Sequence, residues 1–385
     1  MLRFLTAGES HGPCLTAIIE GFPAGVALNA EQIARDLARR QMGYGRGDRM
    51  KIERDRAEIL GGMVQGTTTG APIALRIENK DWSNWQGKEL PPLTIPRPGH
   101  ADLAGALKYG VQDMRLILER ASARETAARV AVGAVAKSLL LQFDIAIYGQ
   151  VLSIGRVHAV QMELPRDQLR ERLEKSSLLC ADPDAESRMR REIDEARGSG
   201  NSLGGIFEVV AENVPPGLGS HVHWDRRLDG RLAQAIMSIP AIKGVEIGAG
   251  FDSAERRGTE MHDEVLYDAN RVSRRSNRAG GIEGGISNGE AIVVRAAMKP
   301  IPTTVTPLRT IDLATRRQVP SRYQRSDICA VPAAAVIGEA MVAWILAQAM
   351  VEKFGADSLQ EMRANYANYL GYLQNRIGGP EVLAE

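Results

Sequence analysis

The sequence predicts an α+β protein: one large domain with a β-α-β sandwich, in which buried helices lie between two mainly antiparallel sheets. Two segments, 124–142 and 332–352, are apolar on nearly all sides, which is typical of helices buried in a core. Short runs rich in Val, Ile and Ala occur in both halves of the chain and indicate strands. Motifs of the first half recur in order in the second, which predicts a pseudo-two-fold internal duplication.

The individual elements follow from these patterns in chain order. Strands are expected at 14–20, 206–212, 245–251 and 290–298, and helices at 30–41, 124–142, 226–238 and 332–352. The segment 160–200 is charged and helix-forming, which predicts a peripheral helical insertion with a solvated face. The C-terminal segment 355–385 has the pattern of an amphipathic helix followed by a polar tail.

The predicted duplication rests on three pairs of segments. They are Gly12–Gly25 with Gly204–Gly217, Gly66–Lys80 with Gly285–Lys299, and Arg120–Gly133 with Arg325–Gly338. The half-repeats are therefore expected at about 1–143 and 201–352, within a single domain that covers 1–385. Neither half is expected to bury its apolar faces alone, so the two should pack about an approximate two-fold axis, with the turns at Arg120 and Arg325 facing one cleft.

The charge balance excludes a general affinity for polyanions. The chain has 385 residues, of which 44% are hydrophobic and 25% charged, and its formal net charge is +1. This balance gives no global attraction to nucleic acid or to a membrane surface. Of the 48 basic residues, 39 are arginine. Genome composition is one explanation; the other is that arginines in glycine-rich stretches bind phosphate or carboxylate through two parallel hydrogen bonds.

The N-terminal segment and the cysteines indicate a cytoplasmic protein. No basic region leads into a long apolar stretch at the N-terminus, so no signal peptide is expected. Cys14, Cys180 and Cys329 are odd in number and far apart, which favours a reducing compartment without a disulfide framework.

Four groups of polar residues fall in stretches without helical or strand periodicity. They are Gly8–Gly12, Arg39–Asp55, Arg97–Asp102, and the pair of turns that begin at Arg120 and Arg325. Long polar loops in a compact domain are usually functional. The "GYGRG" run follows a helix and precedes a strand, the reverse of a dinucleotide-binding motif. It is therefore either an anion-binding loop or a helix C-cap and turn.

Two histidines are candidates for proton transfer. His11 and His100 each adjoin a glycine, which lets a ligand approach the backbone closely. Imidazole titrates near neutrality, so either ring suits acid–base chemistry; the alternative is a hydrogen-bonding loop residue. His221 and His223 have the alternate spacing of two metal ligands on a strand, but no third ligand stands out nearby, so no metal is predicted.

The residues alone leave two other classes of function open. The glycines and arginines favour a flavin- or nucleotide-dependent oxidoreductase. A non-catalytic anion- or RNA-binding protein is the other alternative, and the near-neutral charge and the low aromatic content of 5% argue against it.

Six strings together carry a resemblance to a known family. They are "GESHG", "RRQMGYGRGDRMKIE", "RPGHADLAGALKYG", "RASARETAARVAVGAVAK", "SNRAGGIEGGISNGE" and "RSDICAVPAAAVIGEAM". In this order they resemble the chorismate synthase family over essentially the whole chain, and 144–200 is the least diagnostic part. The resemblance implies a lyase that forms chorismate by anti-1,4-elimination of phosphate and a ring proton from 5-enolpyruvylshikimate 3-phosphate. This is the last common step of the shikimate pathway, on the way to aromatic amino acids.

The resemblance also implies a cofactor, a set of roles and an assembly. Reduced FMN is required without net redox change, and NADPH is a candidate reductant of the flavin. His11 is implied to protonate the leaving phosphate, His100 to steady the protonation of the flavin at N1, and Asp327 to assist removal of the ring proton near flavin N5. A homotetramer supplied by an external flavin reductase is implied, with no nucleic acid and no membrane as partner.

The binding positions follow residue by residue from the matching strings. The implied substrate contacts are Ser10, Arg49, Arg97, Ser122, Ala123, Arg124 and Arg325. The implied FMN contacts are Arg120, Ala121, Ser122, Pro240, Ala241, Gly284, Lys299, Pro300, Ile301, Pro302, Thr303 and Arg325. Arg40 and Arg46 match positions for the phosphate of a nicotinamide nucleotide, or alternatively serve substrate or flavin phosphate. Many members have Ser at the position of Ala121 and Asn at that of Pro240, so only backbone contacts would survive there.

Overall fold

The fold mixes helices and strands along the whole chain. The computed structural model describes residues 1–47, 54–162, 164–268, 271–323 and 327–377. The helices are α1 (Ala30–Gln41), α2 (Asp102–Tyr109), α3 (Arg115–Ala121), α4 (Thr126–Leu140), α5 (Arg166–Lys175), α6 (Pro183–Gly198), α7 (Leu228–Met237), α8 (Gly258–Met261), α9 (Val331–Phe354) and α10 (Leu359–Ile377). Short 3₁₀ turns occupy Lys80–Asn84, Ala123–Glu125, Leu141–Phe143, Trp224–Arg226 and Gly250–Glu255.

Two antiparallel sheets account for most of the strands. The first has the order β1 (Arg3–Ala7), β2 (Cys14–Glu20), β6 (Ile73–Glu78), β3 (Ala57–Gly61). The second has the order β10 (Ile242–Ile247), β15 (Ile292–Met298), β9 (Gly205–Glu212), β7 (Ala146–Ile154), β8 (Val157–His158). Two-residue and four-residue hairpins are β4 (Met63–Val64) with β5 (Thr67–Thr68), β11 (Val265–Asp268) with β12 (Arg271–Arg274), β13 (Ile282–Glu283) with β14 (Ile286–Ser287), and β16 (Arg309–Asp312) with β17 (Arg317–Pro320).

The two apolar helices form the centre of the core. α4 packs on β2 and β6, α9 packs on β7 and β9, and α4 and α9 pack on each other. Their backbones approach so closely that a Cβ built at Gly133 would lie 2.3 Å from the Cβ of Ala340. Small residues at the crossing therefore allow the contact. The stretches 115–143 and 331–354 have the length and hydropathy of membrane spans, yet both are mostly buried, so they are core helices here.

A buried ion cluster lies beside this crossing. Glu339 of α9 is fully buried, and its carboxylate accepts hydrogen bonds from Arg39 at 2.6 and 2.7 Å. It also accepts from Lys137 Nζ at 2.7 Å and from the backbone N–H of Gly149 at 2.9 Å. Burial by itself would raise the pKa of Glu339, but the charges and hydrogen bonds of Lys137 and Arg39 lower it to about 2. The cluster thus ties α1, α4, α9 and β7 together.

Most predicted elements are found close to their expected bounds. The mixture of helices and strands is confirmed, and the helix expected at 30–41 is α1. The strand expected at 245–251 is wrong at both ends, since β10 runs from Ile242 to Ile247. Gly248 and Gly250 have φ of 60° and 52°, which bend the chain out of the strand. The segment 160–200 contains α5 and α6, and the predicted polar tail beyond residue 377 lies outside the described residues.

Candidate active site

The loop between β1 and β2 presents Ser10 and His11. Gly8 has φ of 109°, and a Cβ there would lie 2.4 Å from the carbonyl oxygen of Cys14, so the tight turn needs glycine. The Ser10 N–H donates to the Glu119 carbonyl at 2.9 Å. The His11 N–H donates to Glu119 Oε2 at 2.7 Å, and His11 Nδ1 lies 2.8 Å from Glu119 Oε1. The segment Gly8–Gly12, called the histidine loop below, is therefore fixed to α3.

Glu119 is ionised at neutral pH. Burial would raise the pKa of its carboxyl, but hydrogen bonds from the His11 side chain and backbone, with the charges of His11 and Arg115, bring that pKa below its usual value. An ionised carboxylate can only accept hydrogen bonds, so the backbone nitrogen and Nδ1 of His11 must each carry a proton to bond to it.

Arg120, the neighbour of Glu119, holds the same loop from the other side. Its guanidinium donates to the carbonyl oxygens of Thr6 at 2.9 Å and Gly8 at 3.2 Å. Ala121 ends α3, and Ser122 then caps the short turn Ala123–Glu125 by accepting from the Arg124 N–H at 3.3 Å. One short segment thus connects the histidine loop to the Ser122–Arg124 turn.

Arg124 is buried beneath that turn. Its Nη1 donates to both carboxylate oxygens of Asp55, at 2.6 and 2.7 Å, and its Nε donates to Asn79 Oδ1 at 2.8 Å. The amide of Asn79 in turn donates to the carbonyls of Glu9 at 3.1 Å and Gly12 at 2.7 Å. Asn79 therefore links Arg124 to the histidine loop.

Arg40 approaches the same turn from the end of α1. Its Nε donates to Thr126 Oγ1 at 3.0 Å and its Nη2 to the Ala123 carbonyl at 2.9 Å. Its Nη1 lies 3.6 Å from Asp55 Oδ2. Two arginines thus share one aspartate at the Ser122–Arg124 turn.

His100 belongs to a triad with Arg97 and Asp102. Asp102 is the first residue of α2 and is buried; it accepts from Arg97 Nε at 2.8 Å, and its Oδ1 lies 2.5 Å from His100 Nδ1. Burial would raise the pKa of Asp102, but the hydrogen bonds from His100 and Arg97 bring it well below its usual range. The ionised Asp102 therefore orients both the imidazole and the guanidinium.

The segment that follows β15 lies against this triad. Lys299 Nζ donates to the Gly99 carbonyl at 2.5 Å, and a Cβ built at Gly99, where φ is 80°, would lie 3.2 Å from Pro302. The Lys299 N–H donates to the carbonyl of Ala241 at 3.0 Å. Ile301 accepts from Ser202 Oγ at 2.7 Å. The positions expected to contact FMN at 240–241 and 299–303 are thus brought together beside His100.

Asp327 lies against the "GYGRG" loop. Its Oδ1 accepts from the Gly47 N–H at 2.7 Å, and its Oδ2 lies 2.9 Å from Arg46 Nη1. The Ile328 N–H donates to the carbonyl of Gly45 at 2.9 Å. The loop expected to bind an anion is therefore held against the loop that carries the candidate base.

Further contacts join these groups to one another. Arg129 of α4 donates to Ser238 Oγ at 2.8 Å, just before the 240–241 segment. The Leu203 N–H donates to the Ile328 carbonyl at 2.8 Å, next to Ser202, which holds Ile301. Gly284 lies in the turn of the β13–β14 hairpin, and within the described part of the chain a Cβ built there would meet no atom within 4 Å beyond its chain neighbours. Arg49 and Arg325 lie outside the described residues.

Glu119 and Asn79, which hold expected site residues in place, were not predicted, and Asp55 and Asp102 lay in predicted polar groups without an assigned role. Glu119 directly precedes the turn that begins at Arg120, and Asp55 and Asp102 end two of the polar groups. Asn79 gives no comparable signal. Among the described residues, no group of three or more His, Cys, Asp or Glu side chains is arranged to hold a metal ion.

Comparison with known proteins gives one consistent result. A family model described as chorismate synthase matches residues 2–351. A curated protein named chorismate synthase from Geobacter sulfurreducens is 56% identical, over 97% of this chain and 100% of its own length. Proteins of that name from Desulforudis audaxviator and Brevibacillus brevis are 56% and 54% identical, over 98% and 97% of this chain and 100% of their own lengths.

A solved structure agrees with these sequences. It is titled "Crystal Structure of Chorismate Synthase" and superposes on this chain with a TM-score of 0.81 at 46% identity. The superposition covers 97% of this chain and 98% of the solved one. The matched residues include the segments that hold His11, His100 and Asp327.

Proposed function

This chain belongs to the chorismate synthase family, and we propose that it carries out the reaction of that family at the cluster formed around His11, His100 and Asp327. The enzyme is a lyase that eliminates phosphate. The reaction converts 5-enolpyruvylshikimate 3-phosphate to chorismate, with loss of phosphate and a ring proton and with no net change of redox state. An oxidoreductase that changes the redox state of its substrate is not favoured.

One observation carries the proposal: the expected site residues of the two halves of the chain contact each other. Arg46 lies 2.9 Å from Asp327, and Lys299 donates to the backbone beside His100. The substrate bears two carboxylates and a phosphate, so its site needs several cations. Arg46, Arg97 and Lys299, with Arg40 and Arg124 beneath the Ser122 turn, supply them from pre-oriented positions.

The two proton transfers are divided between an acid and a base. His11 donates a proton to the phosphate oxygen as the carbon–oxygen bond breaks and its electron pair leaves with phosphate. Asp327 receives the ring proton, and the electrons of the broken carbon–hydrogen bond enter the new double bond. The hydrogen bond from the Gly47 N–H and the contact with Arg46 orient the Asp327 carboxylate for this step.

The residues beside His100, in the segments 240–241 and 299–303, fit reduced FMN as the cofactor. Lys299 is a cation for the cofactor phosphate, and the Gly284 backbone is open to a ligand because no atom lies within 4 Å of a Cβ built there. The remaining proposed contacts are Arg120, Ala121, Ser122, Pro240, Ala241, Pro300, Ile301, Pro302, Thr303 and Arg325. When bound, reduced FMN supplies an electron transiently to the substrate. His100, oriented by Asp102, would steady the protonation of the flavin at N1. NADPH is the proposed source of the reducing equivalents of the flavin.

The internal duplication is proposed on a recurring hydrogen-bond pattern. In each half, the hydroxyl at the end of a short hairpin (β4–β5 or β13–β14) accepts a hydrogen bond from the N–H directly after a Pro-x-Gly segment. The same hydroxyl donates to the carbonyl of the first proline of that segment. The bonds are Val26 N to Thr68 Oγ1 (2.9 Å) and Thr68 Oγ1 to Pro23 O (2.6 Å), matched by Leu218 N to Ser287 Oγ (2.8 Å) and Ser287 Oγ to Pro215 O (2.6 Å). The strand pairing also recurs, since β2 pairs antiparallel with β6 in the first half and β9 pairs antiparallel with β15 in the second. This supports half-repeats at about 1–143 and 201–352 that pack as a β-α-β sandwich.

The setting of the enzyme is proposed from its family. The relatives are bacterial enzymes named chorismate synthase, and the proposal adds a cytoplasmic homotetramer that receives reduced flavin from a separate reductase. Neither nucleic acid nor a membrane is proposed as a partner.

An anaerobic assay tests the function. The purified protein is mixed with 5-enolpyruvylshikimate 3-phosphate and chemically reduced FMN, and chorismate is followed by its absorbance. Product is expected with reduced FMN, and none with oxidised FMN or without flavin. Absence of product with reduced FMN would reject the proposal. Consumption of nicotinamide in proportion to product would indicate an oxidoreductase instead.

A further inference from the structure

We infer that Glu119 is the positioning residue that sets the ring orientation and protonation pattern of His11. The inference rests on the proposed role of His11 as the acid for the leaving phosphate. Glu119 does not belong to the site residues predicted from sequence, and it acts through His11 rather than by touching the substrate.

The geometry is a two-point attachment to one residue. Glu119 Oε2 accepts the backbone N–H of His11 at 2.7 Å, and Glu119 Oε1 lies 2.8 Å from Nδ1 of the same residue. The Glu119 carbonyl also accepts the N–H of Ser10 at 2.9 Å. A single glutamate therefore fixes the backbone of the loop and the χ angles of the imidazole together, and both side chains are largely buried.

This attachment decides which ring nitrogen faces the substrate. Because the carboxylate has no proton to give, the short contact requires a proton on Nδ1. Nε2 is then the nitrogen left for the phosphate, and it can donate a proton only when the ring is an imidazolium. The carboxylate holds the imidazole in this tautomer and orientation, as the aspartate does in a catalytic triad.

Trp85, Glu9 and Arg115 are the other groups that face His11 and Glu119. The Trp85 ring lies against the imidazole, with centroids 4.0 Å apart and planes at 39°, and its Nε1 donates to Asp81 at 2.8 Å. Glu9 folds over Gly12 in the same loop, and a Cβ built at Gly12 would lie 3.1 Å from Glu9 Oε2. Arg115 adds positive charge near Glu119.

The variant Glu119→Gln tests the inference with nearly unchanged shape. The His11 N–H needs an acceptor, so the glutamine oxygen is expected at the former Oε2 and its NH₂ group at Nδ1. That arrangement favours an unprotonated Nδ1 and opposes the imidazolium. We expect kcat in the anaerobic assay to fall about 10²-fold, with KM and FMN affinity nearly unchanged.

A control and a double variant separate positioning from general damage. Glu186 is also a part-buried carboxylate that accepts a backbone N–H, from Ser177 at 3.1 Å, but it lies in α6, so Glu186→Gln should keep kcat. Because Glu119 acts through His11, Glu119→Gln should cause no further loss in a His11→Asn background. An additional loss there of the same size, or a kcat within twofold of wild type in the single variant, would overturn the inference.

A second readout does not depend on catalysis. In protein labelled with ¹⁵N in its histidines, the His11 signals are assigned by their loss in His11→Asn. Nδ1 should have the chemical shift of a protonated nitrogen in wild type and of an unprotonated one in Glu119→Gln. An identical Nδ1 shift in both proteins would refute the inference. If the assay gave no chorismate but the shift changed as expected, the proposed function would fail while the positioning role stood.

Discussion

Arg46 Nη1 lies 2.9 Å from Asp327 Oδ2, and this contact joins the glycine-rich loop after α1 to the loop before α9. Both side chains are largely buried, so the pair is only weakly screened by solvent. The Gly47 N–H donates to the other carboxylate oxygen. Asp327 is therefore held in one orientation by groups from the opposite end of the chain.

Asp327→Asn removes the proposed proton acceptor while keeping the side-chain shape. We expect kcat to fall about 10²-fold because an amide cannot take up the ring proton. Substrate deuterated at the ring carbon should show a larger isotope effect in the variant, since proton removal becomes slower relative to other steps. Asp229→Asn is the matched control, because Asp229 also accepts from a backbone N–H, that of Gly230, and from an arginine, Arg227. Equal kcat in wild type and Asp327→Asn would contradict the proposed base.

Substitution of His11 and substitution of His100 should have different effects on kcat and on the bound flavin. His11→Asn should lower kcat by about 10²-fold with flavin binding largely kept, because it removes the proton donor for phosphate. His100→Asn should also change the absorbance spectrum of bound reduced FMN, since it removes the ring that Asp102 orients beside Lys299. Titration with FMN under anaerobic conditions measures both effects. His223→Asn, at an exposed histidine, is the control, and full activity in both test variants would remove the histidine roles.

Sequence periodicity was sufficient for the core elements. The helix expected at 30–41 is observed as Ala30–Gln41, and the apolar segment 332–352 lies within Val331–Phe354, because burial of an apolar face dictates the pattern of each. The end of β10 was misplaced because Gly248 and Gly250 adopt positive φ, which a composition rich in Val and Ile does not reveal.

The residues that hold the site were harder to predict because their partners are distant in sequence. Asp55 and Arg124 are 69 residues apart, and Arg39 and Glu339 are 300 apart, so no local spacing marks either pair. Glu339 did leave a signal, as a lone charge in a long apolar stretch, which is typical of a buried ion pair. The roles of His11 and His100 came from the family resemblance and stay predictions.

Glu339→Gln should destabilise the fold. The substitution removes the fully buried carboxylate that Arg39 and Lys137 contact and leaves them Asp36, and removing one member of a buried ion cluster costs about 3 kcal/mol or more of unfolding free energy. Urea unfolding of wild type and variant measures the difference. Glu171→Gln breaks only an exposed pair with Lys175 and should leave the midpoint unchanged. A variant as stable as wild type would show that the cluster adds nothing to stability.

The advantage of wild type over Glu339→Gln should depend on pH in a defined direction. The folded-state pKa of Glu339, about 2, lies below the value of about 4.3 expected in the unfolded chain. The ionised carboxylate therefore contributes its full stabilisation above the unfolded value and loses it as pH falls through the folded value. Urea midpoints measured from about pH 7 to about pH 3 should converge for the two proteins. A difference that grows on acidification would contradict the assignment.

Alanine substitutions at two helical glycines should have opposite effects. At Gly133 the new Cβ would lie 2.3 Å from the Cβ of Ala340, so α4 and α9 must move apart, at a cost of about 1–3 kcal/mol. At Gly371 of α10 a new Cβ would meet no atom within 4 Å, and alanine should add up to about 1 kcal/mol through its helix propensity. Thermal unfolding should therefore show a lower Tm for Gly133→Ala and a higher one for Gly371→Ala. Because the same propensity gain applies at both sites, a higher Tm for both would mean that the two core helices do not meet at Gly133.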